Sequence, residues 1–290
     1  MIFVSGAGGT VGSELIRQLQ AKSIPFQAGY HSADKVAAAT ERGIEAVTID
    51  FTQPTNLQAE FDGCEKLFLL GPNTVDQANL EQNALDAAKS AGVKHIVKQS
   101  IMHAQDEAYN MARMHRAVEK SIEASGTAWT FLRPNSFMQN TVTFMGDTIR
   151  GENTFYTASG DAGVSIVDVK DIAAVALEVL TAPGHEGHAY TLTGPEALTH
   201  DQLAGILTET LGRTITHIDL SPDDYLQGML ASGMPAELAE RMLDLERYIR
   251  EGRPGEVTAD IAAVTGRAPR SFGEFARERA ATDVWAAAMP

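Results

Sequence analysis

A single cysteine, Cys64, stands among 290 residues, so no disulfide can form within the chain and packing must hold the fold. That lone thiol, and an apolar strand at the first residues with no charged and apolar leader ahead of it, predict a reducing cytoplasmic setting. Basic residues are scarce as well: 23 Lys and Arg face 38 Asp and Glu, for a formal net charge of −15, and they form no cluster. A nucleic-acid partner is excluded on that ground, because phosphate backbones are bound by grouped cations that release counterions. No apolar run approaches the roughly 20 residues of a spanning helix, so no membrane partner is expected. No metal is expected either, since His185, Glu186 and His188 fall in a glycine-bearing turn and nothing resembles a zinc-binding helix or a cysteine cluster. No Gly-x-Ser-x-Gly elbow occurs, which leaves a serine hydrolase unsupported.

What is present is a chain that is 44% hydrophobic, enough to bury a sizeable core in one large or two fused domains. It opens with Ile2-Phe3-Val4, a buried-strand signal, followed by Gly6-x-x-Gly9-x-x-Gly12 and the amphipathic stretch Thr10 to Ala21. Glycines at this spacing let the backbone turn tightly, approach a pyrophosphate and pack helix on strand, with free N–H groups and the helix dipole facing the anion. A dinucleotide site on Gly6, Gly8, Gly9, Thr10 and Val11 follows; an ordinary strand-to-helix turn is the plainer alternative.

The alternation continues. Strands are predicted at 25–30, 44–49, 66–70, 94–98 and 128–132, separated by helices at 32–42, 55–61, 75–91 and 107–125. Apolar strands alternating with helices require a parallel sheet covered on both faces, giving an α/β, Rossmann-like, doubly wound fold. After about residue 133 the rhythm weakens. A helix is predicted over 137–150, a polar loop over 151–163, a strand over 164–167 and a helix over 172–180. Beyond these come a strand at 189–193, a helix at 200–211, a strand at 214–218 and mainly helix to the end, the last one running from Ser271 to Ala288. The predicted division is a dinucleotide-binding domain over 1–150, receiving the strand and helix at about 164–181, and a smaller, mainly helical, dependent lobe over 151–290.

In such sheets ligands bind at the carboxyl ends of the strands, which draws attention to residues 6–11, 30–32, 50–51, 71–72, 100–103 and 134–137. Asp50 and Phe51 would flank an adenine, Leu70-Gly71-Pro72 would border a ribose, and no carboxylate occupies the second strand's tip, Tyr30-His31-Ser32. A tip without a carboxylate, with Lys35 a turn further on, tolerates a 2′-phosphate and favours NADP(H), with NAD(H) possible.

Several stretches together are similar to those of the NmrA-like group of atypical short-chain dehydrogenases, which includes bacterial NAD(P)H:quinone oxidoreductases and triphenylmethane reductases. They are Val4-Ser5-Gly6-Ala7-Gly8-Gly9-Thr10-Val11-Gly12, Gly92-Val93-Lys94-His95-Ile96-Val97, Thr130-Phe131-Leu132-Arg133-Pro134-Asn135, Val167-Asp168-Val169-Lys170-Asp171-Ile172-Ala173 and Gly184-His185-Glu186-Gly187-His188-Ala189-Tyr190-Thr191-Leu192. The resemblance implies a carboxyl lobe that closes the substrate cleft, and His31 where relatives often place an Arg near the 2′-phosphate. It also implies a register: with Glu119 aligned to the family's glutamate, the usual catalytic lysine falls on His115 and the usual tyrosine on Met111. Tyr109 and Arg113 have Tyr-x-x-x-Arg spacing but lie two residues away, about 200° around a helix.

The resemblance therefore implies a reductase that passes hydride to a conjugated or aromatic acceptor without a Tyr-Lys pair. His115 and Ser100 are its candidate catalytic groups, both also beside the cofactor, together with Asn135 and Phe137 near the nicotinamide. Met102, Tyr109, Met111 and Met138 are candidate pocket residues, methionine being a soft, adaptable wall. A non-catalytic redox-sensing regulator and a carbonyl or imine reductase using Tyr109 are the competing functions. A monomer and a homodimer are both compatible with the sequence.

Overall fold

The structure, a computed structural model, describes residues 1–286. Its contacts divide the chain into two units, the first made of 1–107, 112–133 and 169–191 and the second of 108–111, 134–168 and 192–290. The chain changes unit at Pro134, where the regular alternation ends.

The first unit carries β1 (Ile2–Val4), α1 (Thr10–Ala21), β2 (Phe26–Tyr30), α2 (Ala33–Glu41), β3 (Ala46–Thr48), α3 (Pro54–Phe61), β4 (Lys66–Leu69), α4 (Gln77–Ser90), β5 (His95–Gln99), most of α5 (Asn110–Ala124) and nearly all of β6 (Ala128–Pro134). The sheet order is β3-β2-β1-β4-β5-β6 with a seventh strand beyond β6, and every pairing from β3 to β6 is parallel. From β1 the chain builds one way through β2 and β3, then the other way through β4, β5 and β6. The reversal leaves a crevice at the carboxyl ends of β1 and β4, where such sheets take ligands. One face of the sheet packs on Phe61, Leu57, Leu85 and Ile122, around Phe3, Leu67, Ile96 and Phe131. Phe3 and Phe61 meet edge to face with centroids 4.9 Å apart.

In the second unit, residues 137–150 form two short helices, α6 (Asn140–Thr143) and α7 (Gly146–Glu152), broken at Phe144 and Met145, and Phe144 is 70% exposed. The predicted loop at 151–163 contains β7 (Thr154–Thr157). The predicted strand at 164–167 does not form: the Val164 N–H donates to Leu198 O, Ser165 to Pro254 O and Val167 to Ser136 O, so its hydrogen bonds go to three segments and no ladder grows. The first unit instead takes α8 (Val169–Thr181), tied to α1 by Gln18 Nε2 donating to Lys170 O at 3.0 Å, and β8 (His188–Leu192), which is the seventh strand of the sheet.

Beyond β8 come α9 (His200–Leu211), β9 (Thr216–Asp219), α10 (Pro222–Ala231), α11 (Ala236–Arg250), α12 (Asp260–Thr265) and α13 (Phe272–Ala280). β9 pairs with β7 in parallel, and α10 packs on α11 around Met229, Ala239 and Leu243. Capping boxes start α9 (Thr199 with Gln202) and α13 (Ser271 with Glu274). The last helix is shorter than predicted. Its end at Ala280 is followed by turns with Asp283 in the left-handed region (φ 55), and Ala288 lies outside the described residues. Among the described residues no helix is long and apolar enough to cross a membrane, and no group of three His, Cys, Asp or Glu could hold a metal.

Phe61 is fully buried at the centre of this packing. Phe61→Ala is expected to lower stability by about 3–5 kcal/mol, read from the shift of the denaturant midpoint.

Candidate dinucleotide and active site

The turn after β1 is shaped by contacts that leave no room for side chains. Gly6 has φ +64, and a Cβ there would lie 2.9 Å from Leu70 O; a Cβ on Gly12 would lie 2.3 Å from Gly6 O. Substituents at either position would push the turn out of its path, so glycine is required on both counts. The Gly9 N–H closes the turn on Gly6 O at 2.9 Å. Ser5, fully buried, links the turn to the next strand by accepting the Leu70 N–H at 2.9 Å and donating to Phe68 O at 2.9 Å. Helix α1 then starts from Gly9 with no side-chain cap and no acid in its first turn. Its N-terminus therefore presents backbone donors and a positive dipole end, the arrangement that receives a phosphate. Gly8, Gly9 and Thr10 are exposed there, while Val11 is buried and can contribute only backbone.

At the tip of β2, Tyr30 is buried and His31 is exposed, and Ser32 caps α2 by position without a side-chain hydrogen bond. Lys35 reaches back across this tip, its Nζ 3.4 Å from where a Gly8 Cβ would be. An ammonium against the glycine turn and a tip without a carboxylate suit a 2′-phosphorylated ribose. Asp50 is exposed, and its Oδ1 accepts the Thr52 N–H and hydroxyl, which holds its carboxyl below the ordinary range. Phe51 is a core residue whose carbonyl accepts from Asn83, so its ring belongs to the hydrophobic cluster. Beside Gly6, Leu70 and Gly71 are half-buried and Pro72 is exposed.

The carboxyl end of β5 is the polar centre of the unit. All five residues of β5 are buried, Lys98 among them with no exposed surface. Its ammonium meets Glu81 Oε2 at 2.5 Å, Gln99 O at 3.1 Å and His115 Nδ1 at 3.3 Å. Burial would raise the Glu81 carboxyl, but the Lys98 ammonium and the hydrogen bonds from Lys98 and Gln77 oppose it, and the carboxyl is held below the usual carboxylate range. Sequence reasoning passed over Lys98 and Glu81. The available signal was a lysine inside an apolar parallel strand, which cannot be buried without a partner.

One turn along α5, Glu119 is fully buried and accepts Arg133 Nε and Nη2 at 2.9 and 2.8 Å and Arg116 Nη1 at 3.0 Å. Desolvation opposes its charge, yet the Arg133 hydrogen bonds and the other partners keep its carboxyl below the ordinary 4.5. The Ser100 hydroxyl, also buried, lies close enough to this carboxylate to help hold it ionised but makes no hydrogen bond of good geometry. Gln99 Oε1 beside it is likewise buried without a hydrogen bond. Two orphaned polar atoms at a strand's carboxyl end, with a glycine cradle two strands away, fit a bound dinucleotide.

Helix α5, Asn-Met-Ala-Arg-Met-His-Arg-Ala-Val-Glu-Lys-Ser-Ile-Glu-Ala, contains no tyrosine. Met111 is half-buried and His115 is buried at the lysine position. Tyr109 precedes the helix, which starts at Asn110, so Tyr109 and Arg113 do not share a helical face. Within the second unit Tyr109 stacks on Tyr248 (centroids 4.3 Å), and burial, then Tyr248 and Asp244, push its hydroxyl well above its ordinary value, the opposite of an activated acid. In that unit Asn135 Nδ2 donates to Ser165 Oγ and Pro254 O, both at 2.9 Å, and its Oδ1 accepts the Ser136 N–H. Its amide hydrogens are both engaged in holding these loops, which leaves no donor for a cofactor. Phe137 is half-buried beside Val167, and Met138 in the second unit and Met102 in the first are buried.

A family described as NAD(P)H-binding matches residues 6–183. An NAD(P)H azoreductase of Xenophilus azovorans is 37% identical over 282 residues, covering 97% of this chain and 98% of the relative. The crystal structure of an NADPH-dependent quinone oxidoreductase from Escherichia coli, complexed with NADPH, superimposes with a TM-score of 0.88 at 29% identity, over 96% of this chain and 99% of that one. A Citrobacter sp. triphenylmethane reductase complexed with NADP(H) does so with a TM-score of 0.85 at 27% identity, over the same shares.

The Glu119 network has a defined pH signature. A carboxyl depressed in the folded state stabilises at neutral pH, and that stability is lost as pH falls through its folded value. Glu119→Gln is expected to cost about 3 kcal/mol at neutral pH by leaving the half-buried Arg133 uncompensated. The difference from the native chain should narrow on acidification below the ordinary 4.5, which denaturant titrations at stepped pH would measure.

Proposed function

This chain belongs to the NAD(P)H-binding family, and from that premise we propose that it is an NADPH-dependent reductase passing hydride to a conjugated acceptor, such as a quinone or a dye, without a tyrosine acid. It is an oxidoreductase, and NADP(H) is the favoured cofactor. The observation that carries the acceptor class is α5, with no tyrosine along it and a buried imidazole at the lysine position. Reducing an isolated carbonyl creates an alkoxide that needs a proton donor in place. A quinone or an extended dye spreads the incoming charge over its conjugated system and takes its proton from water, so holding it against the cofactor suffices.

When bound, NADPH supplies a hydride from its nicotinamide. The chain's part is binding and orientation. Backbone N–H groups of Thr10 and Val11 receive the pyrophosphate, with Gly6 and Gly12 keeping the approach open. Lys35, His31 and Ser32 take the 2′-phosphate, and Asp50 and the Leu70-Gly71-Pro72 backbone border the adenosine. Ser100 and His115 orient the nicotinamide end. The acceptor is a small aromatic or conjugated molecule, and the buried free thiol of Cys64 suits a reducing cytoplasm.

Mixing the purified chain and NADPH with a panel of quinones, azo dyes and triarylmethane dyes should consume the cofactor, and Tyr109→Phe should leave the rate within a factor of about two. NADPH binding with no oxidation by any member would overturn the reading and favour a redox sensor; loss of turnover in Tyr109→Phe would favour a carbonyl reductase. Lys35→Ala should weaken NADPH about tenfold in equilibrium titrations while leaving NADH unchanged, because it removes a charge-assisted contact only the 2′-phosphate makes.

A further inference from the structure

The three groups that meet around Lys98 have a consequence for His115 that goes beyond its location. An ammonium has three N–H donors and no acceptor. Those of Lys98 are directed at Glu81 Oε2 from α4, Gln99 O from β5 and His115 Nδ1 from α5, which accounts for all three. A nitrogen that receives an N–H from a lysine offers its lone pair, so Nδ1 carries no proton and the neutral ring holds its proton on Nε2. The tautomer is dictated by the lysine and not by the solvent, from which His115 is buried.

Glu81 is what keeps the lysine in place. Its Oε2 pairs with Lys98, while Oε1 accepts the Gly71 N–H at 3.0 Å and Gln77 Nε2 at 3.1 Å. Gly71 is glycine because a Cβ there would fall 2.6 Å from Glu81 Cγ. The carboxylate thus joins the backbone at the end of β4 to the imidazole on α5 through one lysine. Both charges are buried, at 0% and 1% side-chain exposure. Buried ion pairs add little net stability over apolar packing, so geometry is what such a pair supplies.

We propose that Lys98 and Glu81 are positioning residues for hydride transfer, acting through His115 by fixing its proton at Nε2. The proposal rests on the reading of His115 as an active-site group. In this role the imidazole is a hydrogen-bond donor of set direction toward cofactor or acceptor, with Nδ1 closed to proton exchange by the ammonium. It neither takes a proton from the acceptor nor needs to give one up, which agrees with an acceptor that draws its proton from water.

The test uses the full-length chain labelled with ¹⁵N in its histidine rings. NMR of the native protein should show His115 Nδ1 as the unprotonated nitrogen and Nε2 as the protonated one. Lys98→Met alone leaves Glu81 buried and unpaired and could unfold the chain, so the companion variant is Lys98→Met with Glu81→Gln, which removes both charges and keeps an acceptor for the Gly71 N–H. In the double variant the ring should lose its single tautomer, and kcat should fall about ten- to a hundredfold while KM for NADPH changes little, the pattern of lost orientation and not lost binding. A native His115 protonated on Nδ1 would overturn the proposal, as would a folded double variant with unchanged tautomer and unchanged kcat. A native enzyme inert toward every acceptor would count against the reductase reading instead, since the ring spectrum reports the tautomer without turnover.

Discussion

A lysine ammonium with no exposed surface must find three acceptors, and the arrangement of chain around β5 follows from that requirement. Desolvating one charge costs several kcal/mol even after relaxation, and only a close, fully hydrogen-bonded partner offsets it. Lys98 is satisfied by one group from each of α4, β5 and α5, so these three elements cannot shift against one another without exposing an unpaired donor. The same carboxylate reaches the Gly71 backbone, which ties the constraint to the crevice beside the Gly6 turn. The neighbouring Glu119 network repeats the device one turn along α5, with Arg133 supplying the charge from the end of β6. Buried ion pairs of this kind add little net stability, but they fix geometry, and geometry is what a hydride acceptor needs.

The two ends of the crevice use different physics. At the α1 end the work is done by backbone: positive φ at Gly6, absent Cβ atoms at Gly6 and Gly12, and an uncapped helix start. Such a site binds any dinucleotide phosphate and says nothing of what the cofactor will do. At the β5 end the work is done by side chains in a low-dielectric setting, where a lysine ammonium is directed at Nδ1 of a histidine.

Much of the first unit was legible because its signals are local. Helix α1 falls on the predicted 10–21 and strands β1 to β6 match within a few residues, since buried parallel strands must be apolar and the turn after β1 has positive φ at Gly6. After Pro134 local signals mislead. Val164-Ser165-Ile166-Val167 reads as a strand because three of its four residues are β-branched and apolar; all four are buried, yet the backbone bonds to three separate segments. Burial selects apolar residues in any conformation, so a short, mostly apolar run cannot distinguish a strand from a buried irregular segment. Phe51 and Asn135 were singled out for their places after strands, but one ring is absorbed by the core and one amide by loop closure. Position after a strand brings a residue to the right edge and does not settle which way its side chain turns.

The amino-acid sequence by itself determined the parallel sheet, the glycine turn, the absence of a carboxylate at Tyr30-His31-Ser32 and the loss of tyrosine from α5. Each is a matter of residue type at a spacing, and local sterics or a missing functional group is enough to read it. Only the tertiary structure decided that Lys98, Glu81 and His115 meet, that Gly71 is glycine to admit a carboxylate, and that Tyr109 stacks on Tyr248 outside the helix. Glu81 and Lys98 are 17 residues apart, as are Lys98 and His115, and nothing in that spacing reveals a contact made across three elements. The partner of a buried charge is chosen by the way the elements pack, and packing is a property of the whole fold.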